Sequence, residues 1–505
     1  MPNYQAPRGM NDTLPEDADL WRFIRDTAER VARLFDYRQV TTPIVEDAGV
    51  FLRSVGDESD IVQKEMYVFE DRGGDRLALR PEGTAAVCRA YLEHGMGSRP
   101  QPVRLFYIGP FFRYDRPQAG RYRQLWQFGA EAIGSDSPAV DAELIELQAT
   151  LYRELGLTDL VLRINSIGTA ESRARYIEAL REHFRPHLAT LSKDSQRRFE
   201  TNVLRILDSK EAQDRAAVES APSILEFLDD ADTEHFAEVK RTLEAAGIEY
   251  LVDPFIVRGL DYYTRTVWEF EPKSAGGQST VGAGGRYDGL IELLGGPHTP
   301  GVGFATGIER IALNLRERGL GPLIEEPVEV VTVPLGEAGA AAALRVAALL
   351  RAAGITVRAG VPGRSMKAAL RGADAAGAGF AVIIGDREAA EGVATLKPLR
   401  GDAEQRTLPW ASLPNVIVGR LPVGEPWFAS EIERLRKAVQ TLTPRESECV
   451  TLFALGHSEH EIALHFGIRR ETVAQHRRRA LGKRAWPVLQ AQFKASGLRT
   501  ALPPA

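Results

Sequence analysis

Arg258-Gly259-Leu260-Asp261-Tyr262-Tyr263-Thr264-Arg265 and Gly282-Ala283-Gly284-Gly285-Arg286-Tyr287-Asp288-Gly289 are the stretches on which the reading of this chain turns. The first sets two cations and two phenols on one short segment. The second carries glycines, which let backbone approach whatever the first segment holds because no Cβ obstructs it. Together they predict a small-molecule pocket. Outward from that pocket, 505 residues are too many for one ordinary core, so two to four domains are expected. A hydrophobic content of 44% with 26% charged residues is that of a globular protein in water. No run approaches the roughly 18 apolar residues of a membrane span, and Met1 to Pro15 lacks a signal peptide's apolar core, so a cytoplasmic location is expected. Cys88 and Cys449 lie far apart and are read as reduced thiols. The net charge of -6 excludes a wholly basic coat, yet residues 431–505 hold 13 Lys and Arg against 7 Asp and Glu.

Both stretches resemble the paired signatures of histidyl-tRNA synthetases, and motifs along the rest of the chain fit the same family. Pro15 opens an amphipathic helix with Leu20, Ile24, Ala28, Val31 and Leu34 on one face, and Thr41 to Glu46 reads as a strand. The pair resembles motif 1 of class II synthetases, which implies a homodimer. Met66 to Arg72 and Arg76 to Arg80 form an expected hairpin, leading into Arg80-Pro81-Glu82-Gly83-Thr84 and a helix from about Ala85. The resemblance makes Glu82, Gly83 and Thr84 part of a histidine site, with Glu82 accepting from the α-ammonium group. The alternative is a helix cap, with Thr84 capping and Glu82 favoured by the helix dipole.

Arg104 to Arg113 and Arg123 to Gly134 read as strands joined by a charged loop, resembling motif 2. Asp115 replaces that motif's glutamate and Trp126 stands where the family often has histidine. The resemblance places Arg113 on the ATP α-phosphate, where a planar fork of donors suits two non-bridging oxygens, and gives Arg121 to ATP as well. Gln127, Gly129 and Glu131 share one face by the two-residue period. Glu131 suits an imidazole N–H and Gln127 the amino acid's polar backbone groups. Tyr263 would bond the second imidazole nitrogen, so that with Glu131 it selects neutral histidine in one tautomer. Tyr262 and Tyr287 would wall the pocket or be core tyrosines with satisfied hydroxyls.

By the same resemblance Arg258 supplies positive charge at the α-phosphate and also touches histidine. Gly301 to Arg310 is similar to motif 3, with Arg310 against ATP at a helix start. ATP would be the co-substrate and Mg2+ its companion, with no metal held by protein side chains. His183 and His187, four apart but separated by Pro186, read as surface residues. Residues 169–247 look like a helical insertion, either packed over the tRNA acceptor stem or a stabilising decoration.

The expected class is α/β (α+β): an antiparallel-sheet catalytic domain over 1–323, an α/β module over 324–418 and an all-α tail. The module resembles the anticodon-binding domain of several synthetases, with Gly363-Arg364-Ser365-Met366-Lys367 as its matching segment. A linker over 419–440 leads to 441–505, whose Ala463, Gly467, Ile468 and Val473 fit a helix-turn-helix. That tail resembles LuxR-type DNA-binding domains and, more distantly, sigma-factor region 4. Arg470, Arg477, Arg478 and Arg479 would meet phosphates of DNA or of tRNA, or form a solvated face. The functional expectation is a histidine–tRNA ligase with tRNA(His), L-histidine and ATP as partners. The rival is a non-catalytic paralogue that senses histidine or tRNA.

Overall fold

The computed structural model describes residues 4–55, 65–256, 262–273, 280–321, 329–400 and 404–418. Arg258, Asp261, the 419–440 linker and the tail residues Arg470, Arg477, Arg478 and Arg479 lie outside these. The chain divides into two compact units, Met1–Ile324 and Glu325–Ala505.

In the first unit, α1 (Pro15–Leu34) leads through β1 (Arg38–Gln39) and β2 (Val45–Asp47) to α2 (Ala48–Val55). The hairpin β3 (Tyr67–Glu70) and β4 (Arg76–Leu79) enters α3 (Thr84–Glu93), followed by β5 (Val103–Phe112) and β6 (Gln124–Ile133). Next come α4 (Pro138–Glu154), β7 (Leu160–Ser166), α5 (Ala170–Phe184), α6 (Lys193–Thr201), α7 (Arg215–Glu219) and α8 (Asp230–Ala245). The unit closes with β8 (Leu251–Val252), β9 (Thr264–Pro272), β10 (Gly282–Arg286), α9 (Leu290–Leu293), β11 (Gly301–Gly307) and α10 (Ile308–Glu317). Eight strands form one sheet in the order β1-β5-β6-β11-β10-β9-β7-β8, antiparallel except at its two edges, and β2-β4-β3 form a smaller one.

The large sheet is two-sided, as alternation requires. Phe106, Phe128, Trp268, Phe270, Val302 and Phe304 face α1, α4, α8 and α10 in the main core. Tyr107, Phe111, Tyr262, Tyr263 and Tyr287 belong to a second cluster beside α3 and α9. On α1, Ile24, Ala28 and Val31 are buried as expected, but Leu34 is 68% exposed, because the helix ends there and the chain turns at Asp36, whose φ is 61°. The strand expected over Thr41 to Glu46 is instead two short strands around an irregular stretch. Pro43 offers no ladder N–H, and Thr42's carbonyl and hydroxyl are taken by Arg80 Nη1 at 2.8 and 3.0 Å.

The helical stretch 169–247 divides between two cores. Tyr176, Leu180, Phe184, Val203, Ile206 and Ile224 pack with one another, while Phe236, Val239 and Leu243 of α8 join the main core. His183 Nε2 bonds the Ala217 carbonyl at 2.8 Å, inside the insertion.

In the second unit β12 (Val330–Pro334) is fully buried between β13 (Val357–Arg358) and β14 (Phe380–Ile384), with β15 (Val393–Pro398) and β16 (Arg406–Pro409) beyond. Both faces of β12 are covered, so its apolar run is continuous rather than alternating. Val330 faces α11 (Gly336–Ala352) and α14 (Leu413–Val418), and Val331 faces α12 (Met366–Ala375). Helix α13 (Asp386–Glu391), β16 and α14 were not foreseen; each is six residues or shorter, too brief for a period to register. Ser365 Oγ accepts the Ala368 N–H at 3.3 Å and so caps α12.

Candidate active site

The open face of the large sheet floors a cleft of about 890 Å3, lined by Glu82, Gly83, Thr84, Arg113, Arg121, Gln127, Tyr262, Tyr263 and Arg310. Its two ends differ in chemistry, one phenolic and acidic, the other cationic.

At the acidic end Glu131 is fully buried on β6. Its Oε1 accepts from Thr84 Oγ1 at 2.8 Å and Tyr107 Oη at 3.3 Å, and its Oε2 accepts from Tyr287 Oη at 2.6 Å. Burial pushes the carboxyl pKa up to about 8, against the pull of those hydroxyls. Three of a carboxylate's roughly four acceptor positions are thus filled, which leaves one for an incoming N–H. Tyr287 therefore serves Glu131 directly, and the Tyr262 ring sits 5.9 Å from Tyr287 and 4.8 Å from Tyr263.

Sequence reasoning missed Tyr107. Register held the signal, since Tyr107 pairs with Gly129 and Leu105 with Glu131 on one sheet face. A Cβ at Gly129 would lie 2.3 Å from Tyr107 Cζ, and one at Gly303 only 1.7 Å from Glu131 Oε2. The second signature's glycines act likewise: a Cβ at Gly285 would meet the Tyr263 ring at 2.7 Å. Gly285 thus makes room for the site's own tyrosine, whereas Cβ atoms at Gly282 and Gly284 would meet the buried Gln148 and Trp268, and Gly282 also lines the cleft.

Glu82 caps α3. Its Oε2 accepts the Thr84 N–H at 2.6 Å and its Oε1 the Ala85 N–H at 2.8 Å. The capping alternative is thus present with the residues exchanged, because Thr84's hydroxyl is occupied by Glu131. Burial raises the Glu82 pKa against those two backbone donors, and Arg113 opposes the rise. Gln127 lines the open floor between Gly109 and Gly307, and its Oε1 is buried without a hydrogen-bond partner. Of the shared β6 face, then, Gln127 meets the cleft while Glu131 sits behind a layer of hydroxyls.

Three arginines converge at the cationic end. Arg113 Nε donates to the Pro81 carbonyl at 2.8 Å. Arg310 Nε donates to the Gly120 carbonyl at 3.2 Å and its Nη1 to that of Thr280. Burial, with Arg121 and Arg113 close by, lowers the Arg310 pKa. Arg121 Nε lies 3.1 Å from Asp115 Oδ2, so the shorter acid at 115 holds one of the three cations. Trp126 is explained by packing on the far face: its ring meets Trp21 edge-on at 6.0 Å and Arg25 lies 5.5 Å from its centre, while its backbone N–H donates to Glu309 at 2.9 Å. Arg198, Arg205 and Lys210 of the helical insertion also line the cleft.

Two signature cations are placed away from it. Arg265 Nε pairs with Asp232 Oδ1 on α8 at 3.0 Å. Arg286, with no exposed side-chain surface, binds the equally buried Asp141, donates to the Ser135 carbonyl at 2.9 Å, and pairs with Asp288 at 2.9 Å. His235 Nε2 reaches Asp141 from α8 at 2.8 Å.

This arrangement has close relatives. Residues 9–311 match the family model described as histidyl-tRNA synthetase, 329–420 the anticodon binding domain, and 432–483 sigma-70 region 4. Of the two likenesses read in the tail, the more distant one is the one matched. The histidine–tRNA ligase of Dehalococcoides mccartyi is 49% identical over 80% of this chain and 97% of its own length. That of Geobacillus thermodenitrificans is 45% identical over 83% and 98%. The apo structure of the Staphylococcus aureus histidyl-tRNA synthetase superposes with a TM-score of 0.68 at 38% identity, covering 82% of this chain and 99% of that one. With Tyr262, Tyr263 and Tyr287 of the two signatures packed in one cluster and likeness over most of its length, the chain belongs to the histidyl-tRNA synthetase family.

Proposed function

We propose that this chain is a histidine–tRNA ligase, activating L-histidine with ATP and passing the histidyl group to tRNA(His). One observation carries the reading: Thr84 and Tyr107, whose hydroxyls hold the buried Glu131 carboxyl, line the same cleft as a cluster of three arginines. Glu131 takes one imidazole N–H and Tyr263 faces the other ring nitrogen. Gln127's unpartnered oxygen and Glu82 receive the α-ammonium group. The histidine carboxylate then attacks the α-phosphorus and the bond to pyrophosphate breaks. Arg113, anchored through Nε, meets the charge that builds on the α-phosphate, while Arg121 and Arg310 hold the other phosphates. Arg258 acts beside Arg113 by family resemblance. Finally a terminal ribose hydroxyl of the tRNA attacks the adenylate's carbonyl and AMP leaves.

Magnesium enters with ATP. It would be carried on phosphate oxygens and water. When bound it would neutralise charge on the departing pyrophosphate. Residues 1–323 would be catalytic, 324–418 would read the anticodon, and 441–505 would be the helix-turn-helix beyond its linker. The exposed Val45, Val68 and Phe69 of the small sheet support a homodimer. A cytoplasmic site fits the absence, among the described residues, of any helix long and apolar enough to cross a membrane.

Histidine-dependent exchange between pyrophosphate and ATP tests the activity. Its absence from the pure, folded protein would leave the sensing paralogue. Within a positive assay, Arg113→Ala is expected to slow single-turnover adenylate formation by about a hundredfold, the usual effect of removing one preorganised donor. An unchanged rate would take Arg113 out of the chemistry.

For the tail, deletion of residues 430–505 is expected to leave exchange intact, since every residue assigned to that step precedes Arg318. Affinity for nucleic acid should fall, and its salt dependence should flatten by about 0.9 in log–log slope per lost duplex phosphate contact. Titrations with tRNA and with duplex DNA at several salt concentrations separate an aminoacylation accessory from a DNA-binding arm. Unchanged binding to both would make the tail's arginines a solvated face.

A further inference from the structure

The tyrosine segment of the first signature is held from outside the sheet. Tyr263 lies just before β9, and its carbonyl accepts from Arg173 Nη2, in the first turn of α5 where the helical insertion begins. Two residues on, Arg265 has φ 49°, a left-handed conformation that a bulky residue adopts only under constraint. The constraint comes from the same root. Arg265 N–H donates to the Gly168 carbonyl at 2.9 Å, and its own carbonyl accepts from Ile167 N–H at 2.8 Å. Its guanidinium is fixed on Asp232, which also accepts from Thr169 N–H at 2.8 Å and Ser172 Oγ at 2.9 Å.

We propose that Arg173 is a positioning residue for histidine recognition: by holding the Tyr263 carbonyl it sets the Tyr262–Tyr263 wall against Tyr287 and Glu131. A physical chain supports this. The Tyr262 ring is in contact with those of Tyr263 and Tyr287, and Tyr287 donates to Glu131 at 2.6 Å. A shift of the Tyr263 backbone therefore reaches the carboxylate through two packed rings. The insertion's root thus belongs to amino-acid selection, a role distinct from any contact its outer surface makes. The inference rests on the reading of this cleft as a histidine site.

The test is calorimetric titration of histidine into the wild-type chain and three variants, with ATP titrated in parallel. Arg173→Ala is expected to weaken histidine by about tenfold, the effect of one charge-assisted hydrogen bond, with ATP affinity unchanged. Arg173→Lys should recover part of the loss, since an ammonium supplies a donor without the planar fork. His183→Ala removes a contact inside the insertion that does not touch Tyr263, and should leave histidine binding as it was. Unchanged histidine affinity in Arg173→Ala would overturn the inference, as would an equal loss in His183→Ala, which would mean general loosening. No histidine binding by the wild-type chain would overturn the site reading itself, and the inference with it.

Discussion

In Glu131→Gln, the unliganded protein is expected to lose much of the decline in stability that the wild type shows between about pH 5 and 8. The wild-type carboxyl has a folded-state pKa of about 8 because it is buried, against an ordinary 4.5. Across that window the folded chain keeps a proton that the unfolded chain has released. Unfolding free energy therefore falls with rising pH, by up to about 1.4 kcal/mol per pH unit. Below the lower value both states are protonated and the full contribution is present; above the upper value both are ionised and the loss is complete. Glutamine removes the titration, so the variant should overtake the wild type as pH rises. Glu309, raised by burial to about 7, titrates in both proteins and cancels in the difference. Urea unfolding of the two proteins from pH 5 to 8 measures it, and parallel curves would refute the buried-acid account. Above about pH 8, where the wild-type carboxyl is ionised, histidine should bind the variant about tenfold more weakly, because an amide oxygen accepts less strongly than a carboxylate. The pair of outcomes, greater stability with poorer binding, is what a strained binding group predicts.

Arg286→Ala is expected to destabilise the catalytic unit by about 3–5 kcal/mol, the cost of leaving a buried charge without its partner. Burial pushes the Asp141 carboxyl up, but the Arg286 charge and the His235 bond outweigh it and hold the pKa below the usual range. Without the guanidinium, Asp141 keeps the His235 bond, the Ser135 carbonyl loses its Arg286 donor, and the Ser137 carbonyl keeps only the Val140 N–H. Since Arg286 adjoins Tyr287, histidine binding should suffer as well. Arg286→Met combined with Asp141→Leu should recover part of the stability, because apolar replacements remove the unpaired charge at 141 while Asp288 still loses its arginine. Urea unfolding of the single and double variants measures the coupling, and additive losses would show that the pair does not act as a unit.

These two residues mark where sequence and structure divide the account. The sequence by itself determined the family, the order of the class II motifs, the α/β module and the cationic residues Arg113, Arg121 and Arg310 at the cleft, because motif and two-residue period are local properties. It could not say which way each signature side chain points. Arg265 and Arg286 stand in the same short stretches as Tyr263 and Tyr287, yet they turn to Asp232 and Asp141, acids that neither stretch contains. Nor could it show Tyr107 on Glu131, or Glu82 and Thr84 exchanging their expected roles, since both depend on the pairing of β5 with β6 and on the packing of α3 against that pair. Strand register and the meeting of distant elements decide burial. Burial, in turn, raises Glu131 to about 8 and makes Arg286 a structural cation, and neither is a property of any one stretch of sequence.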